Sequence, residues 1–325
     1  MDFELSDDQV SLQEGVRSFL SGRFPIETVR GLEAAGGVDR GLWRELADLG
    51  VFALRLPEAD GGVGMGWADA VLVFEELGRA LVPGPLVWTH LAAGLVDGAS
   101  TGDTVVGGVE RDDFSGLVEH AGALDVLLVV DDDGVWRVDP RELTLEVIET
   151  PLDSLTPVSR LTAPLPTGER VLDAEGAAAL RQQGAVLVAA LLLGISEAAT
   201  DLAVAFSKER VQFDRPIGTF QALKHLMADM LVRTEVARGG VYAAGVTLDD
   251  PLVGSVPRAA SAAKFTAGEA AIENAKTSIQ VHGGMGYTWE IDAHHHFKRA
   301  YALDPSFGGR DHHADVMADL LDALA

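Results

Sequence analysis

No cysteine occurs in the 325 residues, which removes thiolate catalysis, zinc ribbons and iron–sulfur ligation together and leaves the redox compartment open. Positive charge is scarce as well: 25 Lys and Arg stand against 50 Asp and Glu, a formal charge of −25. Phosphate backbones and anionic membranes are held by Lys and Arg, so no nucleic acid and no membrane is expected among the partners. Only five of the basic residues are lysines, all from Lys208 onward, a bias of base composition to which no function attaches. The most apolar run, Ala185 to Ile195, spans 11 residues, short of the ~18 of a membrane span, and reads as a buried core helix. The opening MDFELSDDQV is acidic, with no apolar core ahead of a small-residue cleavage site. No signal peptide and a cytoplasmic location are therefore expected. Against these absences stand 47% hydrophobic residues, ample core for a soluble globular chain of two or three compact units at roughly 100–200 residues each.

Periodicity orders the chain. Ser6 and Gln9 have capping-box spacing, and Val10, Leu12, Val16, Phe19 and Leu20 follow at helical intervals. A second helix is predicted from Asp39 to Leu49, stopped at Gly50, and a third from Trp67 to Leu81, stopped by Pro83-Gly84-Pro85. Between about Thr104 and Val171 short β-branched runs are cut by turn residues, as in Leu124–Val130, Asp131–Gly134 and Val135–Val138. From about Ala174 helical periodicity returns, with breaks near 210–218, 249–257 and 283–286. The expected fold is α+β, mostly α: an N-terminal helical domain over 1–100, a small central β domain over 101–173 and a C-terminal domain like a four-helix bundle over 174–325. No repeat or flexible linker separates them.

Several motifs have ordinary readings. The glycines at 61, 62, 64 and 66 follow no strand and precede no Gly-Lys-Ser or Gly-Lys-Thr, so a helix-to-helix loop is expected. Asp131, Asp132, Asp133 and Gly134 begin like a calcium loop with Glu142 at the twelfth place, but the spacing suits a polar hairpin turn between strands. His294, His295, His296, His312 and His313 are dense in histidine. They lack H-E-x-x-H spacing and cysteine partners, and no metal site is expected. No G-x-S-x-G supports a serine nucleophile.

Two stretches carry more chemistry. In Lys208-Glu209-Arg210-Val211-Gln212-Phe213-Asp214-Arg215-Pro216-Ile217-Gly218-Thr219-Phe220-Gln221 a helix ends, turns and restarts. Arg210 can offer a planar fork to a phosphate and Gln221 can read a base or amide edge. In Gln280-Val281-His282-Gly283-Gly284-Met285-Gly286-Tyr287 glycines permit close backbone approach and leave N–H groups for an anion. Taken singly, each also reads as an exposed arginine or a glycine helix stop.

Together the two stretches resemble the flavin-binding elements of the acyl-CoA dehydrogenase family, R-x-x-F-G-x-x-x-x-x-x-Q and, further along, Q-x-x-G-G-x-G-Y. The resemblance extends to the opening MDFELSDDQ, to Leu42 through Pro57-Glu58, to Phe74-Glu75-Glu76-Leu77-Gly78 and to His225–Met230. It implies a helical, β-barrel, helical subunit and FAD chemistry, in which a carboxylate takes the α-proton of an acyl-CoA thioester while the β-hydrogen leaves as hydride to the flavin. Arg210, Phe213, Gln221, Gln280, Gly283 and Gly284 fall on the positions that hold the ADP half of a neighbouring subunit's FAD. Asp214 stands where the family motif has glycine.

The departures fall on the other half of such a site. Family members carry T-E-P-x-x-G-S-D and K-x-W-I-T segments that hold the flavin ring and acyl chain. Here Thr104–Asp113 reads TVVGGVERDD, and the β part is shorter by dozens of residues, a reduced barrel. The usual base lies in an E-G-T segment, replaced here by Phe307-Gly308-Gly309-Arg310-Asp311, and the alternative position near Gln182–Gly184 has no carboxylate. No catalytic residue is therefore assigned. Asp304 and Asp311 flank the missing segment as candidate substitutes, with helix-surface or capping roles as their ordinary reading. The resemblance points to the short non-catalytic subunit of heteromeric, steroid-CoA type dehydrogenases, paired as α2β2 with a full-length homologue. Its alternatives are a self-sufficient homomeric dehydrogenase using Asp304 or Asp311, and a flavin-free scaffold subunit.

Overall fold

The computed structural model describes residues 4–111 and 116–322. Contacts divide the chain into two compact units. The described residues of 1–22, 71–82 and 185–325 form a helical unit, and those of 23–70 and 83–184 a mixed unit.

Helix α1 (Asp7–Arg23) opens the chain, and its capping box forms. The Gln9 N–H donates to Ser6 Oγ at 3.3 Å and the Ser6 N–H to Gln9 Oε1 at 3.2 Å. Short α2 (Ile26–Gly31), unmarked by periodicity, precedes α3 (Arg40–Asp48), whose N-cap Asp39 accepts from the Gly41 and Leu42 N–H groups. Beyond α3, the loop over 57–66 folds back on the preceding turn, with Val63 and Met65 N–H donating to the Ala53 and Leu54 carbonyls at 3.1 and 2.8 Å. A Cβ on Gly62 would collide with the Leu56 carbonyl, so these glycines serve a helix-to-helix loop. Helices α4 (Trp67–Arg79) and α5 (Leu86–Ala92) follow.

Seven strands come next: β1 (Val106–Glu110), β2 (Leu117–Glu119), β3 (Val126–Asp131), β4 (Gly134–Val138), β5 (Leu145–Val147), β6 (Val158–Leu161) and β7 (Glu169–Asp173). They form two sheets, one of order β1-β3-β4-β7 and one of order β2-β6-β5. The β3–β4 turn is the expected polar hairpin: Asp131 Oδ1 accepts from the Asp133 and Gly134 N–H groups, each at 3.1 Å. Val109, Val118, Leu127, Val129 and Val138 form the core beneath it.

The remaining helices are long: α6 (Ala174–Glu209), α7 (Gln221–Asp249) and α8 (Val256–His282), then α9 (Ala293–Leu303) and α10 (Arg310–Asp322), with a two-residue-strand hairpin, β8 (Val211–Gln212) and β9 (Arg215–Pro216), between α6 and α7. Ala185–Ile195 is buried within α6 as expected. The whole helix is long and apolar enough to cross a membrane, but 78% of its most apolar window is buried inside the protein.

In the helical unit α4 meets α6 backbone to backbone. A Cβ on Gly78 would strike the Leu191 carbonyl, and one on Gly194 the Glu75 carbonyl. Glu75 and Glu76 are thereby buried and met by charge: Glu75 by Arg238 and by the Tyr242 hydroxyl, which donates at 2.8 Å, and Glu76 by Arg17 at 2.6 Å. Burial pushes the Glu75 carboxyl up to about 7 against the pull of Arg238.

In the mixed unit His90 is buried, its Nδ1 2.9 Å from the Val51 carbonyl oxygen, and burial lowers its pKa to about 4. The folded chain leaves this ring neutral where an unfolded one binds a proton near 6.5. His90 therefore contributes stability above pH 6.5 that is lost as pH falls toward 4. In His90→Gln, the fall in unfolding free energy between pH 7 and pH 5 should be smaller by about 2 kcal/mol than in the parent, as read by denaturant titration. An unchanged difference would contradict the neutral buried ring.

Candidate functional site

The two chemistry-bearing stretches arrive at one end of the helical unit. Ala203 and Phe206 of α6, Leu223, Met227 and Met230 of α7 and Val281 of α8 pack as one cluster. The Phe206 and His282 rings lie 4.2 Å apart, and the His282 Nδ1–H donates to the Ser278 carbonyl at 2.7 Å. The end of α6, the start of α7 and the end of α8 are thus bound together by apolar contact.

Arg210 directly follows α6. Its carbonyl accepts from the Ile217 N–H at 2.8 Å, closing the hairpin. Its side chain is exposed, and among the described residues it forms no ion pair. Phe213 and Asp214, at φ +55° and +62°, are the central pair of a two-residue turn between paired Gln212 and Arg215, the type I′ geometry that favours glycine. Phe213 is 84% exposed, with only an edge-to-face contact to Phe220, over whose ring the Arg215 guanidinium sits at 4.2 Å. Gln221 is the exposed first residue of α7, and its N-cap Phe220 supplies no side-chain bond to the first turn. The first N–H groups of α7 are therefore left to solvent or to an anion.

At the far side of this end, Gln280 is exposed on the last turn of α8. Three glycines follow, and two of them have a reason inside the chain. Gly283, at φ +62° and ψ −139°, ends the helix in a conformation closed to other residues. Gly286 is held by packing, since its Cβ would lie 2.5 Å from the Ile279 carbonyl. Gly284 has neither reason: its φ is ordinary and a Cβ there would meet nothing within 4 Å. A guanidinium fork, uncapped helix N–H groups and an open glycine backbone are the donors that hold a diphosphate.

The segment where a base would be sought is built differently. Asp304 pairs with Arg310 at 3.2 Å and lies over Gly268 of α8. Its carbonyl and that of Gly308 accept from the buried Lys264 Nζ at 2.6 and 2.9 Å. His313 clamps the same turn, its Nε2–H donating to the Phe307 carbonyl at 2.9 Å, with Nδ1 3.0 Å from Ser261 Oγ. Asp311 is exposed in the first turn of α10, where a carboxylate complements the helix dipole. Both aspartates thus have structural occupations. His296 is likewise buried against the Asp292 carbonyl, and among the described residues no three His, Asp or Glu side chains converge as a metal-binding group.

Strand β1, within the stretch Thr104–Asp113, is covered within its own unit. A Cβ on Gly108 would strike the Trp88 indole, and one on Gly107 would come within 2.7 Å of Leu124. Its outer edge is capped by Thr89 Oγ1, which accepts from the Val106 N–H and donates to the Val106 carbonyl, both at 3.0 Å. Sequence reasoning placed Glu75 only within a family-like stretch and missed its partner Arg238, as it missed the buried Lys264.

Comparison with known proteins gives a consistent picture. The profile described as acyl-CoA dehydrogenase, N-terminal domain, matches residues 6–100, and that for the C-terminal domain matches residues 178–321. Acyl-CoA dehydrogenase IpdE2 of Mycolicibacterium smegmatis is 36% identical over 91% of this chain and 93% of its own. Among solved structures, the Tcur3481-Tcur3483 steroid ACAD G363A variant is 26% identical over 98% of both chains, with a TM-score of 0.85. The ChsE4-ChsE5 complex from Mycobacterium tuberculosis shares the fold, at 23% identity over 99% of both chains and the same TM-score.

The hairpin itself yields a test. Asp214→Gly removes a side chain from a left-handed position and should stabilise the protein by a few tenths to about 1 kcal/mol, measured as a rise in thermal midpoint. A fall would show that the aspartate makes a compensating contact.

Proposed function

The chain belongs to the acyl-CoA dehydrogenase family, and from that premise we propose that it is one subunit of an FAD-dependent acyl-CoA dehydrogenase, supplying the ADP-side half of a flavin site that a full-length homologue completes in an α2β2 heterotetramer. The observation that carries this reading is an asymmetry. The end of the helical unit bearing Arg210, Gln221 and Gly284 is open and rich in donors, whereas β1 is filled on both faces by Trp88 and Leu124. The donors suit the diphosphate of FAD; the strand leaves no face for its ring.

When bound, FAD supplies a hydride acceptor for the β-hydrogen of an acyl-CoA. In this chain Arg210 would hold the diphosphate with a bidentate fork. The first N–H groups of α7 and the backbone at Gly284 would complete the anion's shell, and the Gln221 and Gln280 amides would meet the adenosine side. Proton abstraction falls to the partner, since Asp304 is engaged by Arg310 and no carboxylate occupies 307–310. Likeness to the steroid ACAD favours a bulky substrate, a steroid side-chain CoA ester.

Gly284→Leu and Arg210→Ala test the clamp in the complex with the full-length homologue. Gly284 meets no neighbour, so its substitution should leave the thermal midpoint of this chain unchanged while emptying the flavin site. Losing the charged fork should weaken FAD retention by about 10- to 100-fold with the complex intact. Unchanged flavin content in both variants would overturn the reading and favour a scaffold role.

A further inference from the structure

Two adjacent glutamates on α4 are provided for in opposite ways. Glu76 has a guanidinium to itself: Arg17 of α1 donates to it from Nε at 2.9 Å and from Nη2 at 2.6 Å. Glu75, whose side chain is 0% exposed, shares Arg238 of α7 with Glu197 of α6 and with Glu235, one turn earlier on α7. Glu197 in turn shares Arg79 of α4 with Asp201 of α6, at 2.8 and 2.7 Å. Among the described residues, four carboxylates are thus served by two guanidinium groups. Asp201 and Glu235 are more than half exposed and are screened by water. The shortfall therefore falls on the inner pair. Glu197 Oε2 is buried without a hydrogen bond, 3.5 Å from Arg238 Nη2, and Glu75 has no solvent to turn to.

We propose that Glu75 is a proton-binding site of the helical unit: folding takes up a proton there, and its loss at alkaline pH sets two buried carboxylates against one guanidinium and loosens the contact of α4 with α6 and α7. The switch involves no cofactor and is independent of the flavin site. The groups packed against Glu75 set its balance. Burial favours the neutral acid; Arg238 and the Tyr242 hydroxyl, which donates to Oε2 at 2.8 Å, favour the anion; and the Glu197 carboxylate again favours the acid. Arg17 is occupied by Glu76, and Arg79 by Glu197 and Asp201. Burial prevails, and the carboxyl is raised from 4.5 to about 7. A protonated carboxyl keeps an oxygen for the Tyr242 hydroxyl, so the geometry serves both states. Because the folded chain binds this proton more tightly than the unfolded one, the stability it contributes is complete below pH 4.5 and is lost as pH rises through 7.

Denaturant titrations of the full chain from about pH 5.5 to 8.5 read this loss, and the infrared carbonyl stretch of a neutral carboxylic acid reads the proton itself. Relative to the parent, Glu75→Gln should hold its stability as pH rises, and it should lack the acid band that the parent shows at the acid end of that range. Variants compared with the parent leave the histidine contributions common to both. Two further substitutions should move the parent's titration in opposite directions, each by about one pH unit. Tyr242→Phe removes a donor to the anion and shifts it to higher pH; Glu197→Gln removes a repelling charge and shifts it to lower pH. A network that only holds the helices together would weaken in both variants without displacing a titration. Glu75→Gln with the parent's pH profile, no acid band in the parent, or displacement of both neighbouring variants in the same direction would overturn the proposal.

Discussion

A single buried amide sets the alignment on which the candidate site depends. Asn274 of α8 has its Nδ2 within 2.8–3.2 Å of Ser196 Oγ and Thr200 Oγ1 on α6, and of the Met230 carbonyl and Thr234 Oγ1 on α7. Its Oδ1 accepts from Arg233 Nε at 2.8 Å. Three long helices are thereby pinned at one level in an otherwise apolar interior, where sliding would strand these polar groups without partners. At 1.5 Å of rise per residue, Arg210, Gln221 and Gly283 lie roughly 13–21 Å along their helices from this pin. A slip of one residue in any helix would move its contribution to the clamp by about 1.5 Å, enough to break a hydrogen bond.

The same frame explains why the two halves of the expected chemistry have separate fates. The proposed clamp would use helix ends, backbone N–H groups and one arginine, all of which persist as long as the helices stay in register. Ring binding and proton abstraction need particular loops. In this chain Trp88 and Leu124 fill the faces of β1, and Lys264, His313 and Arg310 bind the turn that carries Phe307 to Gly309. On the proposed reading, a subunit so built would keep the fold and an ADP-binding end while leaving the reaction itself to another chain.

Much of this was legible in the sequence because it depends on local signals. The capping box at Ser6, the hairpin at Asp131–Gly134 and the breaks around 210–218, 249–257 and 283–286 all mark real element boundaries. The six clamp positions were named by the resemblance of two short motifs, and the apolar cluster of Phe206, Leu223, Met227 and Val281 holds the elements that carry them together. Less visible were the groups whose meaning depends on distant partners. Nothing in the sequence around Asn274, Glu75 or Lys264 marks a buried polar group, and the packed fold shows each to be buried and matched. Gly284 and Gly286 are the same letter two places apart, one open and one forced by packing. Nor could periodicity reveal short α2, whereas the helical pattern from Ala174 to the break at 210 does correspond to the 36-residue α6.

The central claim is that this chain holds half of a flavin site, and flavin per protomer, read by visible absorbance, tests it most directly. The chain purified alone should carry little flavin, and co-purified with its full-length homologue it should carry about one flavin per pair, since two incomplete halves make one site. Near-stoichiometric flavin on the isolated chain would contradict the account.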